Sequence, residues 1–195
     1  MLPELTDLLV APDQLGEYID QRRRTPGELL RVQTLDRYNV PSDHGNYERY
    51  LRGEPKFISP EVADWYRELS ADAEVGKIWR NVHVVRLPLT DYLCYQFEYG
   101  YVRNTAAGQV IRVVDTDAHP EAELLFDVGD FYVFEGADIL HMRYDEEGHF
   151  LGGAGSGASS TKGYVALAEL AWRMGTPFAD WWAAHPEFHR HDGTV

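Results

Sequence analysis

The sequence of 195 residues predicts a single α+β domain over 1–195, built on a small, mostly antiparallel sheet flanked by N-terminal and C-terminal helices. Three observations carry this expectation. Helix-period apolar spacing marks both ends of the chain, buried-strand runs fill its middle, and three short runs joined by tight turns form a C-terminal meander. With 44% apolar and 26% charged residues the composition is that of a globular protein, which excludes disordered, collagen-like and coiled-coil classes.

From the N-terminus, Leu5, Leu8 and Leu9, then Leu15, Tyr18 and Ile19, recur at three- and four-residue intervals. They predict a helix broken by Pro12 and closed by Arg22, Arg23 and Arg24, which suit the negative end of a helix dipole. A strand follows over 29–38, and a short helix over 42–51 ends before Gly53. Ser59 as N-cap, Pro60 at the first helical position and Gly76 as stop frame the next helix. Its apolar stripe of Val62, Trp65, Tyr66, Leu69 and Ala73 reads as core.

Residues 80–87 read as a buried strand. The 90–105 stretch fits two patterns: Thr90-Asp91 opens a helix, whereas Leu93, Tyr95, Phe97 and Tyr99 alternate as a strand would, and helix is favoured. Residues 109–114 form another strand. Runs at 130–134, 139–144 and 149–151, joined by Glu135-Gly136 and the 145–148 turn, make the meander. In its middle strand Leu140, Met142 and Tyr144 share one face and leave His141 and Arg143 on the other. The stretch 152–163, GGAGSGASSTKG, reads as a flexible linker. Helices over 164–174 and 177–185 follow, the second capped by Thr176, with Phe178, Trp181 and Trp182 for docking onto the sheet.

Eighteen basic against 32 acidic residues give a net charge of −14, opposite to the basic field that phosphate-backbone binding needs. Direct nucleic-acid binding is therefore not expected. No apolar run reaches the roughly 20 residues of a membrane helix. The segment MLPELTDLLVAPD lacks a signal-peptide pattern, and the lone Cys94, among apolar and aromatic neighbours, reads as a buried thiol. The expected compartment is the cytoplasm.

Familiar catalytic patterns fail on their residues. Lys162 lies between Thr161 and Gly163, not in a phosphate-loop arrangement, and His141-Met142-Arg143 lacks the Lys and Asp of an HxKxxxxD phosphodiesterase motif. GxSxG, HExxH, CxxC and GxGxxG are missing from the sequence. His185, His189 and His191 crowd the tail, but Pro186 interrupts any helix that would align them, so neither a metal nor another cofactor is expected.

A looser polar set remains. Arg31, Arg86, Arg103 and Arg112 are candidate anion ligands, and His83 with Glu98 would be the acid–base pair of an enzyme. The block from Asp115 to Glu147 holds eleven carboxylates and one base, Arg143, as a docking face for a basic partner would. Its candidate contacts are Asp127, Asp130, Tyr132, Glu135 and Asp138. Structural ion pairing and a solvated face are the plainer explanations of the same residues.

The segments LLRVQTLDRYNV, WRNVHVVRLPLTDYLCYQFEYGYVRNTAAGQVIRVVD, DFYVFEG, ILHMRYDEEGHFLG and PFADWWAAHPEFHR resemble an actinobacterial, streptomycete-type family of unknown function encoded beside helix-turn-helix regulators. Gln109, and Glu135-Gly136, stand where that family favours acidic residues. The resemblance implies a cytoplasmic accessory or ligand-sensing protein; together with the −14 charge and the 115–147 carboxylates it gives the leading expectation, a non-catalytic protein that binds or antagonises such a regulator through its acidic face. The competing expectation is a small enzyme or ligand-binding protein for a phosphate-bearing or nucleotide-like molecule.

Overall fold

A computed structural model describes residues 5–23, 26–156 and 158–190, without the side chains of 5–9, 156, 158 and 159. Its strands are β1 (Leu5–Val10), β2 (Gly27–Gln33), β3 (Lys77–Val85), β4 (Val110–Asp115), β5 (Phe131–Phe134), β6 (Asp138–Tyr144), β7 (Phe150–Ser156) and β8 (Thr176–Pro177). They join one mixed sheet in the order β1-β7-β6-β5-β2-β3-β4-β8, in an α+β arrangement. The sheet is larger than expected, and two of its pairings, β2–β3 and β3–β4, are parallel. Parallel neighbours need a crossover. One is made by α2 (Asn46–Leu51) and α3 (Pro60–Glu74). The other is a helical segment of α4 (Asp91–Tyr95), a π-helical stretch (Gln96–Tyr101) and α5 (Val102–Ala106).

Strand alternation sorts the side chains into two layers. Leu30, Val32, Val82, Val84, Val114 and Phe131 face α7 (Ala158–Met174) through Tyr164, Ala168 and Ala171, with Leu125 of α6 (Leu124–Val128) packed in. On the other face Leu29, Phe134, Leu140 and Met142 pack under Ile19 of α1 (Leu15–Arg22). Further along that face Ile111 and Val113 meet the α4–α5 segment and α8 (Phe178–Ala184) through Phe97, Tyr101, Phe178 and Trp181. Between these last two clusters the face carries polar residues, and there the candidate site lies.

The caps act as read from the sequence. Ser59 accepts from Val62 N at 3.3 Å, and Thr90 from Leu93 N at 3.2 Å, which starts the 91–106 segment as helix. Three expectations are corrected. Residues 5–10 are a strand, because their backbone pairs with β7 in the register Leu9↔Ala154 and Val10↔Gly153. The glycine-rich stretch is not a linker: 152–156 continue β7 and 158–163 open α7. Gly153 is required there, since a Cβ would come 2.6 Å from Leu140 Cδ1. Thr176 does not cap the last helix; it pairs with Val113 in β8.

The basic end of α1 does more than meet a dipole. Arg23, 4% exposed, lies 3.8 Å over the Trp79 ring and donates to Asp72 at 2.6 Å. Arg22 pairs with Asp138 at 3.1 Å; Arg24 lies outside the described residues.

Candidate anion-binding cavity

Along β2 the period of two puts Arg31 and Gln33 on the face of Leu29, and the β2–β5 register sets Arg31 opposite Tyr132. β6 adds Met142 and Tyr144, and β7 adds Phe150. The loop after β2 brings Tyr38 over these strands, and the 91–101 helical segment brings Tyr92 and Gln96. These side chains line a cavity of about 440 Å³. Its walls are largely aromatic, and among the described residues Arg31 is the one Lys or Arg in its lining, which also includes His149.

Asp130, 2% exposed, sits behind Arg31 and is saturated with donors. It accepts from Thr34 N (2.8 Å), Thr34 Oγ1 (3.1 Å) and Tyr38 OH (2.7 Å), as well as from Arg31 Nη2 (3.4 Å). A buried carboxylate with this many donors fixes what surrounds it. Arg31 Nη2 also donates to Tyr144 OH at 3.1 Å. Both of its hydrogen bonds leave from Nη2, and Nε is buried with no partner. Burial works against the guanidinium charge, but the oxygens of Tyr132, Tyr144, Tyr38 and Asp130 more than offset it and hold Arg31 cationic. Burial pushes the phenols of Tyr38, Tyr92 and Tyr144 upward, so they are neutral.

Beside the cavity runs a buried polar network. His83 Nε2 lies 3.2 Å from the Leu35 carbonyl, which can only accept, so Nε2 carries the proton and Nδ1 is an acceptor. Nδ1 lies 2.8 Å from Tyr101 OH, and Gln33 Oε1, at 2.9 Å, faces the same phenol. One phenolic proton thus faces two acceptors. Burial pushes His83 down to about 3, so the ring is neutral. The π-helical widening places Tyr101 here, stacked on Phe97 at 4.9 Å, and Gln96 Oε1, at the cavity wall, has no donor. The arrangement suits a ligand with an acidic group for Arg31 and an apolar body for the tyrosines.

The profile of a family described as "Domain of unknown function (DUF6879)" matches residues 14–183. The chain belongs to the DUF6879 family. No curated protein matches it.

Of the anion ligands expected in this DUF6879 chain, Arg31 lines the cavity and Arg86 and Arg112 are placed elsewhere. Arg86 pairs with Glu123 at 2.6 Å and lies 3.6 Å over Phe126. Arg112 donates to the carbonyls of Trp172 and Gly175. Arg103 is on α5, its Nε buried without a partner. Of the acid–base pair, His83 holds its place in the polar network, and Glu98 accepts from Tyr50 OH and Arg190 N.

The expected docking face is corrected at two residues: Asp130 and Tyr132 are buried, Asp130 just before β5 and Tyr132 within a strand whose four residues are all buried. Asp127 is exposed, Asp138 is tied to Arg22, and Glu135 sits in the β5–β6 turn with φ of 51°. Tyr38, Tyr92, Tyr144, Gln33 and Gln96 were not singled out from sequence as site residues.

Among the described residues, Asp145, Glu147 and His149 have metal-ligand spacing, but they are mostly exposed. Asp145 there closes its own turn, accepting from Glu147 N and His149 N. His185 and His189 stack on Trp181 and Trp182; His191 lies outside the described residues. Cys94 is buried, and burial pushes its thiol up. No helix among the described residues is long and apolar enough to cross a membrane.

Proposed function

We propose that this DUF6879 protein is a non-catalytic receptor for a small organic anion, which binds over Arg31 and lays its apolar body against the tyrosine walls. The observation that carries the reading is an Arg31 guanidinium fixed from behind through Nη2 while its remaining donors are uncommitted, in a cavity of about 440 Å³. That volume falls in the range of small-molecule sites. The neutral phenols and the fully bonded Asp130 suit holding a ligand rather than moving its protons. Titration of tyrosine fluorescence with benzoate, phenylacetate and phenyl phosphate tests this. At least one should saturate, and Arg31→Met should weaken it about tenfold or more, the scale of a lost charge-assisted pair. Identical affinities in wild type and Arg31→Met would sink the reading.

A second reading is favoured by one observation. Asp117 and Asp127 are exposed and make no ion pair among the described residues. In this reading they engage a basic helix-turn-helix regulator in the cytoplasm, the partner expected from the sequence. Asp117→Asn with Asp127→Asn should then flatten the salt dependence of that complex; an unchanged salt slope argues against it.

A further inference from the structure

We infer that the Lys56 amine is a covalent capture site for a small, neutral aromatic aldehyde, which it holds as an imine. The strap carrying Lys56 is held from several directions. Asn46 bonds both the N–H and the carbonyl of Phe57, at 2.7 and 3.0 Å, Arg49 Nε donates to Pro55 O at 3.0 Å, and the Tyr99 phenol donates to the Glu54 carbonyl. This anchoring sets Lys56 in the wall of a cavity of about 270 Å³, together with Trp65, Tyr66, Tyr92 and Tyr95. Tyr92 also lines the Arg31 cavity, so the two are neighbours.

Nζ donates to Tyr99 O at 2.7 Å and to Tyr66 OH at 2.9 Å. Among the described residues it has no third acceptor and no ion pair, whereas Lys77 pairs with Asp72 at 3.7 Å. An ammonium has three protons to place and a neutral amine has two, so these partners match the neutral form. The neutral form also carries the lone pair of a nucleophile, and desolvated lysines are the ones that form Schiff bases. Burial above all, and then Arg103, lower Lys56 to about 8, against the pull of Asp43.

The same wall selects the partner. Asp43 lines the cavity, and its carboxylate takes the Tyr95 phenol and, at 3.0 Å, the Tyr47 N–H. A carboxylate there disfavours an anionic ligand, while the aromatic side chains suit a neutral aryl ring. In the reaction the amine lone pair attacks the carbonyl carbon, and one N–H proton passes to the carbonyl oxygen. The second N–H proton then departs with that oxygen as water, and a C=N bond replaces the broken C–O bond. Amine and aldehyde thus give imine and water, with no oxidant or reductant. Tyr66 OH, 2.9 Å from Nζ and kept protonated because burial pushes its phenol up, is placed to relay these protons.

Incubation of the full chain with benzaldehyde, reduction with borohydride and peptide mapping by mass spectrometry test the site. The chain has three lysines, so Lys77 and the exposed Lys162 are internal controls. At pH 7.5 Lys56 should be benzylated about tenfold or more faster than either. Its rate should saturate with benzaldehyde and fall when benzyl alcohol, which has no carbonyl, fills the cavity. Lys56→Arg should lose this adduct, and the wild-type map decides the matter if that variant does not fold. Arg31→Met should keep the adduct, so failure of this site and of the Arg31 cavity are distinguishable. Equal labelling of the three lysines, or a Lys56 rate that rises linearly with benzaldehyde and ignores benzyl alcohol, would overturn the inference.

Discussion

Arg31 and Asp130 meet at 3.4 Å, and they share that contact unequally. Asp130 is out of reach of solvent and takes three further hydrogen bonds, from Thr34 and Tyr38. Arg31 keeps 26% of its side chain exposed and bonds through Nη2 alone. The carboxylate is the fixed half of the pair, and the guanidinium is the half with capacity left for a ligand.

Asp130→Ala should destabilise the fold by about 3–5 kcal/mol, because it leaves Arg31 and the Thr34 and Tyr38 donors without their acceptor. A urea-denaturation midpoint checks this. A loss below about 1 kcal/mol would place Asp130 among surface carboxylates and contradict its buried role.

Two glycines of the 152–163 stretch should respond with opposite signs. Gly153→Ala drives a Cβ into Leu140, at 2.6 Å from Cδ1, and should cost about 1–3 kcal/mol by overpacking. Gly163 lies in α7 with open space where a Cβ would go, so Gly163→Ala should stabilise by about 0.5–1 kcal/mol. A flexible linker would leave both near zero, and thermal melts separate the cases.

That stretch also shows where the sequence stops being legible. Glycines that allow β7 to approach Leu140 and the Val10 carbonyl are indistinguishable in composition from glycines of a linker. Leu5, Leu8 and Leu9 satisfy a helical spacing, yet pairing with β7 makes the segment a strand, a tertiary effect that local periodicity does not contain. Strands β2, β3, β5 and β6 were readable as apolar runs between turns, buried over much of their length on both faces, and helix α3 from its cap and apolar stripe. In the site, Arg31 announced itself as a charge inside an apolar strand. Asp130 did too, but its inward direction depends on where β5 begins. Tyr38 falls inside the strand expected over 29–38, but β2 stops at Gln33 and the chain beyond it turns as a loop that folds Tyr38 back over the sheet.

The neutral His83 makes stability depend on pH. Its ordinary value near 6.5 applies to the unfolded chain, and burial lowers the folded value to about 3. Between these values the unfolded state binds the extra proton. Stability is therefore fully present above pH 6.5 and falls as the pH drops toward 3, by up to about 1.4 kcal/mol per pH unit from this residue. His83→Gln should flatten the acid-side slope by close to one proton. The same slope in both proteins would mean that His83 titrates freely in the fold.

The most direct test of the account is the affinity of the Arg31 cavity for an organic anion, measured by calorimetry on wild type, Arg31→Met and Arg31→Lys. The account predicts saturable binding to wild type and a loss of about tenfold or more in Arg31→Met. It predicts partial retention in Arg31→Lys, which keeps the charge and loses the planar donor edge. Equal affinities in all three proteins, or binding to Arg31→Met as tight as to wild type, would contradict it.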